Sequence, residues 1–203
     1  MNIKSINFSN SGYVFCHSSF GSMHCDLDSN RKFSLSQGVN ILSEEIDSGA
    51  WAASYALSMY NHKPKDFTLF EKLEVVLNNE IAISLNEFCE HSCYLDLTYP
   101  MFSTRTPVKK LIIRALKTSE CPKSLEEIQE LFGLDSNRLE RPLSSVGNEA
   151  FRAMAAIGYS SGKQVFCFPW MSQKRFQYYN NNVSQLLEIL ESLGKTVILP
   201  LGQ

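Results

Sequence analysis

The spacing of apolar residues changes character several times along this chain, and each change marks an element. Tyr13, Phe15, Phe20 and Met23 alternate with Ser, Gly and His, and Phe33 and Leu35 repeat the pattern before Gln37-Gly38. A period of two predicts half-buried strands, with turns at Gly21 and at Gln37-Gly38. Val39-Asn40-Ile41-Leu42 is a short apolar strand, and the polar stretch Ser43 to Gly49 is a loop. The run AWAASYALSM, Ala50 to Met59, predicts a helix because Ala and Leu lose least on becoming helical. Residues 74–85 predict a hairpin turning at Asn78-Asn79.

Period 3.6 takes over in the middle of the chain. Thr106-Pro107 opens a helix to Leu116, since proline suits a first helical turn. Ser124-Leu125-Glu126-Glu127 has the form of a capping box, Leu125, Ile128, Leu131 and Phe132 share one face, and Gly133 is the stop. A helix from about Glu149 to Ile157 and a strand Val165 to Phe168, closed by Pro169-Trp170, follow. The Asn- and Tyr-rich run from Phe176 to Asn182 reads as a solvated loop. Val183 to Leu193 predicts a helix with one apolar stripe, and Thr196 to Leu199 a last strand. Short β-branched strands separated by helices predict an α/β fold with a mainly parallel, buried sheet. Its expected parts are an antiparallel β region at about 1–37 and a helical subdomain at about 105–145, within one domain spanning 1–203.

Composition narrows the class. With 203 residues, 44% hydrophobic, the chain is long enough for a core that needs no metal or disulfide staple. A formal charge of −2 gives no bulk attraction to nucleic acid or to a membrane surface. No apolar run approaches the roughly 20 residues of a membrane span, and the first residues lack the form of a leader. The expectation is a cytoplasmic protein with six reduced thiols, any membrane association coming through a partner. Two Cys-His groupings are weighed as zinc sites: Cys16-His17 with His24-Cys25, and Cys89-Glu90-His91-Ser92-Cys93. Neither has a standard zinc spacing, and adjacent residues of a strand point to opposite faces, so no metal is assigned. Cys121 is expected to be a free exposed thiol and Cys167 plain core.

The closing stretch GKTVILP resembles the strand before the H-loop of ABC-type ATPases, and other landmarks fall at the family's distances. The strand, loop and helix around Glu44-x4-Gly49-Ala50-Trp51 stand where the Walker A pattern GxxxxGK, then Ser or Thr, belongs; Ser48 precedes the one retained Gly. YLDLTYPMF with TPVKKLI is similar to the Q-loop stretch, its Gln falling near Asp96 or Leu97. Ser145-Val146-Gly147-Asn148-Glu149, with Arg152 and a small-residue helix after it, resembles the LSGGQ signature. Seventeen positions beyond Arg152 the Walker B Asp is replaced by Pro169 and the following Glu by Trp170; the H-loop His falls at Gly202. The resemblance covers about residues 10–203 and implies a P-loop NTPase-like ABC ATPase fold.

It also implies that the family's chemistry is lost. The Walker A Lys neutralises the phosphates and the Ser or Thr holds Mg²⁺, and Ala50 and Trp51 do neither. Glu44, Glu45 and Asp47 add carboxylates where a triphosphate would lie. Like charges ~4 Å apart repel by about 1 kcal/mol in water and about 4 near a protein surface. Pro169, Trp170 and Gly202 supply neither carboxylate nor imidazole. The expected protein is a pseudo-ATPase that uses neither ATP nor Mg²⁺ as cofactor and acts as a binding, scaffold or regulatory subunit. Its expected partners are itself, another ABC ATPase subunit or a membrane permease. Trp51 and Trp170 fill the emptied nucleotide site in one reading and form a stacking or docking surface in the other. Two other functions are carried forward. One is a working ATP-binding transporter subunit with altered nucleotide binding at the Gly49 helix start. The other is an unrelated activity in the emptied pocket.

Overall fold

The computed structural model describes residues 3–9, 12–27, 32–43, 45–46, 49–62 and 74–202. The alternating N-terminal segments form strands: β1 (Ser5–Ser9), β2 (Gly12–Ser18), β3 (Gly21–Leu27), β4 (Lys32–Ser36). In β4 the alternation is literal, with Phe33 and Leu35 inside and their neighbours exposed. β5 (Gly38–Ser43) and α1 (Gly49–Met59) match the expected strand and helix. β6 (Glu74–Leu77) and β7 (Ile81–Ile83) form the expected hairpin. Its turn is one residue longer than predicted: Leu77 pairs with Ile81 across Asn78, Asn79 and Glu80. Asn78 and Asn79 hold φ of 54° and 61°, a region asparagine tolerates better than most residues. The Asn78 side chain accepts from the Lys4 amide at 2.7 Å, fastening the hairpin to the start of β1. The antiparallel sheet has the order β4-β1-β6-β7, so the antiparallel part draws on residues well beyond 37.

Several elements were not legible in the pattern, among them α2 (Leu85–Glu90) and β8 (Ser92–Tyr94). The helical stretch follows with α3 (Val108–Thr118), α4 (Leu125–Leu131) and α5 (Ser136–Leu139). The capping box is formed: Ser124 Oγ accepts from the Glu127 amide at 3.2 Å and Glu127 Oε2 from the Ser124 amide at 2.7 Å. α6 (Ala150–Ser160), β9 (Val165–Cys167), α7 (Gln173–Ser192) and β10 (Thr196–Leu201) complete the chain.

α7 corrects the sequence reading. The stretch expected to be a solvated loop is its first half, opened by Ser172 Oγ accepting from the Arg175 amide at 3.3 Å. Asparagines are poor helix formers, but Phe176, Tyr179 and Val183 recur at helical spacing and pack on the core. Burial of that stripe outweighs propensity. Tyr178, 81% exposed, is the part that does face solvent.

The second sheet has the order β5-β10-β9-β8 and every pairing in it is parallel. β10, last in the chain, lies between β5 and β9. All residues of β8, β9 and β10 are buried, because helices cover both faces. Consecutive strand residues reveal the layers. Cys167 lies against Ser54 and Ser58 of α1, while its neighbour Phe166 meets Gly158 of α6. Tyr94 bonds Trp51 of α1, while Cys93 meets Gly158. So α1 and α6 lie on opposite faces. α1 also packs against β2 and β3, which explains why all eleven of its residues are buried. Among the described residues no helix is long and apolar enough to cross a membrane.

Candidate functional site

The loop from β5 to α1 is the first place to look. Glu44, Asp47 and Ser48 lie outside the described residues; Glu45 is exposed. Gly49, Ala50 and Trp51 form the buried first turn of α1. Trp51 faces the core, and its Nε1–H donates to Tyr94 Oη at 3.0 Å. Tyr94 in turn meets Tyr55 edge-to-face at 5.3 Å. Burial, with the charge of Asp96 adding to it, pushes the Tyr94 hydroxyl well above its ordinary range, so it stays protonated. Trp51 is thus a core residue joining α1 to β8.

The end of β9 is pinned from two sides. Ser54 Oγ donates to the Phe168 carbonyl at 2.6 Å, tying α1 to it. The Phe168 amide donates to Ile198 O at 2.9 Å, Met171 N to Pro200 O at 3.1 Å and Gly202 N to Met171 O at 2.8 Å. Residues 168–171 therefore run alongside β10. Pro169, which has no amide hydrogen, is buried within this run, and Trp170 is half-buried. The indole lies on Gly202: a Cβ added there would sit 2.6 Å from Trp170 Cζ2 and 3.4 Å from Ser172 Cα. Three positions singled out from sequence, Pro169, Trp170 and Gly202, are thus brought together.

Ser145 and Gly147-Asn148-Glu149 belong to two single turns of 3-10 helix before α6. Gly147 has φ +64°, the left-handed region glycine favours. Ser145, Gly147 and Asn148 are exposed while Glu149 is buried. Glu149 Oε1 lies 3.5 Å from Arg138 Nε and 3.7 Å from Arg152 Nη2, and Oε2 accepts from the Asp135 amide at 3.3 Å. Arg138 also donates to Val146 O at 2.8 Å and to Asn148 Oδ1. Two guanidinium groups around one carboxylate fix this segment against α5 and α6. It packs on α6 and α7, anchored separately from the Pro169, Trp170 and Gly202 group.

Register decides the two metal candidates. Cys16 pairs with Met23 and Val14 with Cys25, so the two thiols share the inner face and both are buried. His17 and His24 are exposed on the outer face, and the four side chains do not converge. Cys89 and Cys93 are also buried, their thiols pushed up to about 11 and about 12 by burial. Cys89 Sγ donates to Leu57 O at 3.3 Å, a core contact. Cys121 is half-buried and Cys167 fully buried. Among the described residues no group of three or more Cys, His, Asp or Glu converges.

Asp96 stands near the place the resemblance gives to the Q-loop glutamine. It is 1% exposed and accepts from the Ser19 amide at 2.8 and 3.0 Å, Ser19 Oγ at 2.7 Å and the Thr98 amide at 2.9 Å. It couples the β2–β3 turn to the loop after β8 and lines a cavity of about 150 Å³ that reaches Gly147 and Asn148. The signal was present: Tyr94-Leu95-Asp96-Leu97 sets one acid inside an apolar run.

A parallel sheet carrying its last strand internally, an antiparallel sheet and a helical stretch before α6 make up the fold of ABC transporter ATP-binding cassettes. No family profile matches the chain, and no curated protein matches it. Solved structures do. CbiO1 from Clostridium perfringens, part of the ABC transporter complex cbiONQ, aligns with a TM-score of 0.63 at 11% identity, covering 100% of this chain and 80% of that one. The cassette MJ0796, in a dimeric post-hydrolysis state bound to ADP and Pi, aligns at 0.57 with 12% identity, covering 98% and 88%. In another dimeric structure that bacterial ABC transporter cassette aligns at 0.56 with 13% identity, covering 97% and 87%. At such identities the likeness establishes the fold.

Proposed function

We propose that this chain is a catalytically degenerate ABC ATPase-like module, acting as a binding, scaffold or regulatory subunit. The observation that carries the reading is the seating of Trp170 on Gly202. An added Cβ at Gly202 would meet Trp170 Cζ2 at 2.6 Å, which leaves little room for a side chain such as histidine, and in this reading Trp170 takes the position of the water-polarising carboxylate. Ala50 adds no cation and Pro169 no metal ligand. Phosphoryl transfer depends almost wholly on positioned charges, so their joint replacement removes its means. The dimeric state of MJ0796 and the place of cbiO1 in a transporter complex suggest the partners: a second copy, another ABC ATPase subunit or a membrane permease. Membrane association, in this reading, is indirect and from the cytoplasmic side.

Calorimetric titration of the whole chain with Mg-ATP, paired with a phosphate-release assay, tests this. The expected result is no micromolar binding and no release above buffer. Micromolar affinity with turnover overturns the proposal and favours a working ATP-binding subunit. Co-purification of a second cassette or a permease would identify the partner.

A further inference from the structure

The cavity beside Asp96 has chemistry of its own. Buried carboxylates are ordinarily paired with a cation, because desolvation of an isolated charge is costly. Asp96 has amide and hydroxyl donors, but among the described residues no Lys, Arg or His side chain forms an ion pair with it. Its charge is felt nearby: it helps push the hydroxyls of Tyr55 and Tyr94 upward. This negative centre lines a cavity of about 150 Å³ whose other walls include Phe20, Phe151 and Tyr179. Phe151 lies 6.4 Å from Phe20 and 6.0 Å from Tyr179, the latter pair edge-to-face at 85°. Aromatic faces carry negative potential and attract cations. Phe20 is already covered by a cation, with Arg175 Cζ 3.3 Å from its centroid, which leaves Phe151 and Tyr179 as the rings for a ligand and Phe20 as an apolar wall. The apolar walls suit methyl groups, while Ser19 and Asn148 add polar groups to the lining.

We propose that this cavity is a binding site for a small organic ammonium ion, its positive centre held between Asp96 and the rings of Phe151 and Tyr179. The volume matches a group the size of a quaternary or methylated amine, and anions are disfavoured by the buried carboxylate. The proposal rests on Asp96 and the aromatic walls and is read without nucleotide, so its failure and that of the pseudo-ATPase reading are distinguishable.

The test titrates the whole chain with choline, with tetramethylammonium and with the neutral isostere of choline in which carbon replaces nitrogen. Binding is read by calorimetry and by shifts of the aromatic NMR signals. The cations should bind about tenfold or more tightly than the neutral isostere, as expected for a desolvated cation over aromatic faces. Asp96→Asn should lose that preference, and Tyr179→Leu, which keeps an apolar wall without a π face, should weaken the cations selectively. Circular dichroism confirms folding of each variant; if Asp96→Asn fails to fold, Tyr179→Leu carries the test. Equal binding of cation and isostere, unchanged cation binding in the folded variants, or no binding at millimolar concentration overturns the proposal.

Discussion

Replacing Gly202 by alanine puts one methyl group against the indole of Trp170. That Cβ would lie 2.6 Å from Cζ2 and 3.4 Å from Cε2, and 3.4 Å from Ser172 Cα. Carbon atoms rest at about 3.5–4.0 Å, so the shortfall on Cζ2 is close to an ångström. The indole is rigid and half-buried. Relief by lifting the end of β10 would stretch the bond from Gly202 N to Met171 O, now 2.8 Å. Such overpacking costs about 1–3 kcal/mol. Alanine recovers about 0.4–1 kcal/mol by restricting the unfolded chain. The net expectation is destabilisation by about 1 kcal/mol, which for a chain of this size lowers the melting midpoint by about 2–4 °C. Thermal and urea unfolding of Gly202→Ala, Trp170→Phe and the double variant form the assay. Phenylalanine withdraws the clashing ring, so the double variant should be more stable than the two single effects predict, by about 0.5–3 kcal/mol. A Gly202→Ala protein as stable as the parent, or strictly additive effects, would refute the reasoning.

Two further outcomes follow from buried polar groups. Tyr94→Phe removes the acceptor of Trp51 Nε1–H and leaves a buried donor unsatisfied, costing about 1–3 kcal/mol in urea unfolding; Trp51→Phe in the same chain should recover part of that, and an unchanged midpoint for Tyr94→Phe would contradict the pairing. The thiols of Cys89 and Cys93 are raised from 9.0 to about 11 and about 12 by burial. Between those values the unfolded chain has released protons that the folded chain retains, so their contribution is intact below 9.0 and is lost as pH climbs toward 12. Each thiol adds a slope of up to about 1.4 kcal/mol per pH unit. Cys93→Ala should flatten the stability-versus-pH curve above 9.0, and an unaltered slope would count against the burial argument.

The candidate site was legible where chemistry is local. Ala50, Pro169, Trp170 and Gly202 could be named because absent charges are visible in residue identity, whatever the fold does with them. Asp96 was harder. One acid in an apolar run signals burial, but that no cation among the described residues pairs with it depends on neighbours distant in the chain. The Phe176–Asn182 stretch has the composition of a loop, but the i, i+3, i+7 spacing of Phe176, Tyr179 and Val183 carries the helix.

By itself the sequence determined the strand alternation of Phe33 and Leu35, the capping box at Ser124, the Ala-rich α1 and the apolar β10, all set by contacts within a few residues. Tertiary structure alone decided that β10 inserts between β5 and β9, that the three-residue β8 joins them, and that Trp51 turns to Tyr94 while Trp170 rests on Gly202. The physical reason is range. Capping and periodicity are energies of neighbours along the chain, whereas strand order and the seating of an indole are settled by surfaces that meet only when the whole core has closed.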